Sequence, residues 1–165
     1  MRAVTGVTIV VWLTEGTWQA CVDAVRELPD APVRLVHVID PDSVAAVEGA
    51  HAGLLGRAGR AADPGAVEML TRAQVALFDA AAERLGRPAE RVARYGRVER
   101  EVLAVCADAG VLVLARDGDH SRLGPKSLGH TTRFVLDHAP CRVLLVWPDE
   151  PPGLATLPPP PPRRR

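Results

Sequence analysis

Short valine-rich runs recur along this chain with helical-period segments between them, and no other feature limits its folding so strongly. Val7–Leu13, Val33–Ile39, Val111–Ala115 and Cys141–Trp147 are five to seven residues long, β-branched and largely without the polar alternation of a half-solvated strand. Runs of that length and kind suit strands covered on both faces. Glu90–Tyr95 supplies a fifth short candidate. Strands alternating with helices mean a parallel α/β sheet joined by right-handed crossovers.

The segments between the runs are consistent with this. Thr14-Glu15-Gly16-Thr17 breaks the first strand, and Thr17 stands as an N-cap for a helix reaching Leu28, with Cys21, Val22, Val25 and Leu28 at helical spacing. Pro29-Asp30-Ala31-Pro32 stops that helix, and Asp40-Pro41 ends the second strand. Ser43–Leu55 has helical character, but Gly49, Gly53, Gly56 and Gly59 point to a loose excursion over Ser43–Asp63. Asp63-Pro64 is an N-cap followed by proline at the first helical position. The longest helix runs from there to Leu85, with Met69, Val75, Leu77, Phe78 and Leu85 on its apolar side. Val98–Ala109 and Thr131–His138 are the remaining helices, and a polar loop spans Arg116–Leu128.

A length of 165 residues accommodates one domain with a sizeable core. The 20 basic and 20 acidic residues balance, so no net field recommends nucleic acid or an anionic membrane as a partner. The apolar start at Val7–Leu13 is too short for a signal peptide or a membrane span, and a cytoplasmic location is expected. Cys21, Cys106 and Cys141 have neither Cys-x-x-Cys spacing nor a histidine pattern, and are read as small buried hydrophobes rather than disulfide or zinc residues. Residues 1–148 form the expected domain. Residues 149–165, with Pro158–Pro162 and Arg163–Arg165, form an expected disordered tail of extended polyproline character.

The chemistry concentrates after the fourth strand. A helix N-terminus carries N–H groups without intrahelical partners and the positive end of a dipole, which together attract phosphate. Glycine lets backbone come close to such an anion. Gly118 and Gly124 lie in the loop, and Gly129-His130-Thr131-Thr132 opens the helix, with both threonine hydroxyls available to cap it or to bind an anion. By itself this arrangement is equally that of an ordinary capped helix.

Leu112-Val113-Leu114-Ala115-Arg116-Asp117-Gly118, then Ser127-Leu128-Gly129-His130-Thr131-Thr132, then His138-Ala139-Pro140-Cys141-Arg142-Val143-Leu144-Leu145-Val146 resemble the universal stress protein family. The resemblance implies a single Rossmann-like domain, of the adenine nucleotide alpha-hydrolase-like kind, with a five-stranded parallel sheet of order 3-2-1-4-5. It also implies a stress-response or regulatory role, a homodimer formed through the strand Cys141–Trp147, and ATP or another adenine nucleotide, with magnesium, as ligand. Nucleotide-binding members hold phosphates with Gly-x-x-Gly, nine residues, then Gly-Ser/Thr. Here Ala115 stands at the first glycine, Gly129 follows Gly118 after ten residues, and His130 replaces the hydroxyl residue. Arg116, Arg122 and Lys126 could add positive charge.

Members with bound nucleotide carry Asp-Gly-Ser after the first strand; Glu15-Gly16-Thr17 is that motif displaced by two residues, or else a charged turn. The backbone at Val38 corresponds to the adenine-reading position, and His37 is read as a core residue. Trp12 could stack on a base, plug the pocket or belong to the core. Glu15, Gly16, Val38, Ala115, Gly118 and Gly129 are expected to converge at the carboxyl ends of strands one and four, where strand order reverses. Walker, Rossmann and hydrolase-elbow motifs are absent from the sequence. The expectation is therefore a protein that binds nucleotide weakly, with at most slow ATP hydrolysis. The alternative is a dimeric interaction module of the same fold that binds none.

Overall fold

The structure, a computed structural model, describes residues 7–52 and 64–162. Five strands, β1 (Ile9–Trp12), β2 (Val33–Ile39), β3 (Glu90–Tyr95), β4 (Val111–Ala115) and β5 (Arg142–Val146), form one parallel sheet in the order β3-β2-β1-β4-β5. This is the expected order. β1 is shorter than Val7–Leu13: Val7 is exposed and outside the strand, while the Leu13 N–H still donates to the Val36 carbonyl at 2.8 Å.

Alternation along β1 sets the two layers. Ile9, Val11 and Leu13 point into a core closed by α1 (Trp18–Arg26) and α3 (Pro64–Leu85), where Cys21, Val22, Val25, Phe78 and Leu85 meet them. Val10 and Trp12 point the other way, to Val102, Val105 and Cys106 of α4 (Val98–Val105) and its end, and to Val135 of α5 (His130–His138). Both faces are thus covered, which is why the central strands tolerate no polar alternation. Trp12 is a core residue: its indole is almost wholly buried in the second layer.

Four sequence expectations change. Thr17 occupies the N-cap position of α1 but makes no capping bond, because its hydroxyl donates back to the Thr14 carbonyl at 3.4 Å. Met69 and Val75 are 43% and 51% exposed, so the inward stripe of α3 runs instead through Ala66, Gln74, Phe78, Ala81 and Leu85. A helix, α2 (Pro41–Ala52), begins two residues before Ser43. Asp40 starts it: its Oδ1 accepts the Asp42 N–H at 2.9 Å and its carbonyl accepts from Val44, with Pro41 in the first turn. Finally, the chain after residue 148 is not extended throughout: it contains a 3-10 turn at Leu154–Thr156, and the Leu123 N–H donates to Thr156 Oγ1 at 3.0 Å. Asp63 and the glycines at 53, 56 and 59 lie outside the described residues.

Cys21 and Cys106 are buried and Cys141 partly so, all as free thiols, and burial pushes Cys21 and Cys106 up to about 12. Among the described residues no helix is long and apolar enough to cross a membrane.

Candidate functional site

The carboxyl ends of β1 and β2 open into a cavity of about 390 Å³, walled by Trp12, Leu13, Glu15, His37, Val38 and Asp40, and roofed by α2 and α3. Mostly apolar walls with a few polar groups are the common form of a small-ligand pocket. The cavity lies one strand away from the expected crevice. Ala115, Gly118 and Gly129 do not line it, and Ala115 is buried in the core. Of the six residues expected to converge, the cavity brings together only Glu15 and Val38. Gly16 lies in the exposed turn before α1, at φ +82°, and Thr17 beside it, both outside the cavity wall.

A buried pair organises the inner wall. Gln74 Nε2 lies 3.0 Å from His37 Nδ1 and 3.1 Å from the His37 carbonyl oxygen. The carbonyl can only accept, so Nε2 is a donor, and it donates to an unprotonated Nδ1; His37 is the Nε2–H tautomer. Burial holds its imidazole below the ordinary histidine range, and the negative charge of Glu15 offsets part of that. Phe78 meets the ring edge-on with centroids 6.5 Å apart. The sequence carried one sign of Gln74: a polar residue at helical spacing with Phe78, Ala81 and Leu85.

Asp40 also borders a second, more polar cavity of about 690 Å³, between the starts of α2, α4 and α5. Asp42, Arg97, Glu99, His130, Thr131 and Phe134 complete it. Its carboxylates, Asp40, Asp42 and Glu99, outnumber the single guanidinium, and Arg97 is already paired with Glu99 at 2.6 Å. His130 and Thr131 are the α5 residues that reach this space. Among the described residues no three His, Cys, Asp or Glu side chains are grouped to hold a metal ion.

The glycine loop binds an anion, and the anion is its own. Asp117 Oδ1 accepts the Gly129 N–H at 2.6 Å, and Oδ2 accepts the hydroxyl of buried Thr132 at 2.7 Å. A Cβ on Gly129 would stand 2.8 Å from an Asp117 oxygen, and one on Gly118 would stand 2.3 Å from the Lys126 carbonyl oxygen. These glycines allow close approach of the chain to itself: the Gly118 N–H donates to Ser127 at 2.9 Å and the Asp119 N–H to Lys126 at 2.8 Å. Thr132 is therefore spoken for, and it is Asp117, to which the sequence reading gave no role, that holds the helix start. An acidic residue inside a presumed phosphate loop was the available signal.

Arg116 and His120 are also committed within the loop. Arg116 donates to the buried Ser127 hydroxyl and stacks 4.6 Å over the Trp147 ring. His120 donates to the Arg116 carbonyl at 3.1 Å and meets Trp147 edge-on. Asp119 Oδ1 accepts from the Ser121 N–H and hydroxyl. Arg122 leans 3.9 Å from Asp119.

The sequence model of the universal stress protein family matches residues 16–146. The chain belongs to the universal stress protein family. Its fold is also that of solved structures: hypothetical protein MJ0577 is 20% identical with a TM-score of 0.63, covering 87% of this chain and 97% of that one. Hypothetical protein PH0823 is 15% identical with a TM-score of 0.59, over 85% and 95%. A universal stress protein solved in complex with cAMP is 15% identical with a TM-score of 0.54, over 88% and 99%. No curated protein sequence matches the chain. At these identities the universal stress protein fold is what the structures share, and the site must be judged on its own residues.

Proposed function

We propose that this chain is a cytoplasmic stress-response or regulatory protein that binds an adenine nucleotide weakly, with the nucleoside in the cavity between β1 and β2. The observation that carries this reading is the cavity itself, at the carboxyl ends of parallel strands, with Glu15, His37 and Asp40 as polar groups on apolar walls. A universal stress protein of the same fold holds cAMP, which supports the ligand class. The Val38 backbone would face the base, and Glu15 or Asp40 would accept from ribose hydroxyls. His130 and Thr131 are the helix-start residues placed to meet a phosphate, and magnesium would have to accompany it past Asp40 and Asp42. Hydrolysis at such a site would be slow at most.

Calorimetric titration with adenosine, AMP, cyclic AMP and ATP, with and without magnesium, tests the reading. Saturable binding of at least one of them is expected. No heat and no thermal stabilisation at millimolar ligand would overturn it, because a ligand far above its dissociation constant must stabilise the protein.

A second reading, a dimeric interaction module that binds no nucleotide, is favoured by the loop's internal closure through Asp117. Dimerisation through β5 belongs to both readings.

A further inference from the structure

We propose that Asp117 is a resident anion that sets the ligand's charge: it takes the place of a nucleotide phosphate at the start of α5, so that the site accepts an uncharged nucleoside in preference to its phosphorylated forms. This rests on the reading that the inner cavity takes a nucleoside, and names the ligand class within it.

Two independent observations carry the inference. The first is occupancy. The backbone donor of Gly129 and the hydroxyl of Thr132 are two of the groups at the helix start that a phosphate oxygen would engage, and a carboxylate already engages both, at 2.6 and 2.7 Å. Thr132 is buried, so its hydroxyl has no solvent to turn to when the carboxylate is displaced. A second anion at this helix end would meet the charge of Asp117 as well as lose the donors. The loop cannot simply retreat, since Gly118 and Asp119 are bonded to the backbone of Ser127 and Lys126, and Arg116 is committed to Ser127 and Trp147.

The second observation is the sign of the outer cavity. A phosphate leaving the inner cavity past Asp40 enters a space bordered by Asp42 and Glu99. Its one guanidinium, Arg97, is neutralised by Glu99. A phosphate would thus meet a carboxylate at the α5 start and an excess of carboxylates in the outer cavity, while the inner cavity, mostly apolar, suits an uncharged base and sugar.

The test compares wild type with Asp117→Asn and Asp117→Ala by calorimetry and thermal shift, using adenosine, ATP and inorganic tripolyphosphate as separate probes. Asp119→Asn, in the same loop but bonded to Ser121, controls for a general change of charge. Wild type is expected to bind adenosine at least about tenfold more tightly than ATP, and the Asp117 variants to reduce that preference about tenfold, with adenosine affinity unchanged. Tripolyphosphate should stabilise the Asp117 variants and leave wild type and Asp119→Asn unmoved. An ATP-to-adenosine ratio that is the same in all four proteins overturns the proposal, as does tripolyphosphate acting equally on wild type. Should no protein bind adenosine, the nucleotide-binding reading fails, and tripolyphosphate still decides whether Asp117 is what keeps phosphate from the helix. Circular dichroism identifies any unfolded variant, and the isosteric Asp117→Asn then carries the comparison.

Discussion

The Asp117 carboxylate lies 2.6 Å from the Gly129 N–H, and the space it fills is the space a Cβ on Gly129 would need. Gly129→Ala should therefore swing the carboxylate aside and cost about 1 kcal/mol, the usual size of a lost helix cap. Gly118→Ala should cost more, about 1–3 kcal/mol, because its Cβ meets backbone, the Lys126 carbonyl, which cannot swing away. Urea unfolding of the two variants checks the order; equal losses would show that the loop is looser than its hydrogen bonds imply.

His37 and Gln74 make stability depend on pH. The folded pKa of His37 is depressed, so the unfolded chain binds the proton more readily. The contribution is present in full above the unfolded value near 6.5 and is lost as pH falls through the lower folded value. Imidazole NMR should show His37 titrating below the ordinary histidine value near 6.5, and stability should fall from pH 7.5 towards pH 5 partly on its account. Gln74→Leu, which leaves Nδ1 without its donor, should cost about 1–3 kcal/mol.

Trp12 is built into the layer of Val10, Val36, Val102 and Val135 while one side of it borders the inner cavity. Trp12→Ala should cost about 3–5 kcal/mol, as for other buried aromatic truncations. Trp12→Phe should retain most of the stability and alter adenosine affinity, measured by calorimetry. A Trp12→Ala protein as stable as wild type would contradict the core assignment.

The two sheet edges differ in kind. β3 reads Glu-Arg-Val-Ala-Arg-Tyr and is exposed along nearly its whole length, with charges that discourage pairing. β5 reads Arg-Val-Leu-Leu-Val and bears one charge. A twofold dimer paired through β5 would cover the second edge. Sedimentation should find a dimer, and hydrogen exchange should be slow at the outward amides of β5 and fast at those of β3. A monomer with both edges exchanging fast would remove this interface.

Much of the fold was legible because it depends on local pattern. Val33–Ile39, Glu90–Tyr95 and Val111–Ala115 are strands to the residue; in the first and third, a short β-branched run buried on both faces is readable without knowing its neighbours. The helix expected from Ser43 begins instead at Pro41, where Asp40-Pro41 carries the same capping signal as Asp63-Pro64; the four glycines downstream are what made this stretch hard to read. The inward side of α3 was misjudged because Met69 and Val75 are apolar but face outward, and Gln74 is polar but buried by its bonds to His37.

The sequence by itself determined the alternating architecture, the glycine positions and the resemblance of its last third to one family, because hydrophobic period and backbone permissiveness are properties of neighbouring residues. Only the tertiary structure decided what the glycines accommodate and where a ligand has room. That choice depends on which groups from distant elements come within hydrogen-bond reach: Asp117 across a twelve-residue interval to Gly129, and Gln74 to His37 across thirty-seven. No spacing rule encodes those distances, since they follow from how the layers pack.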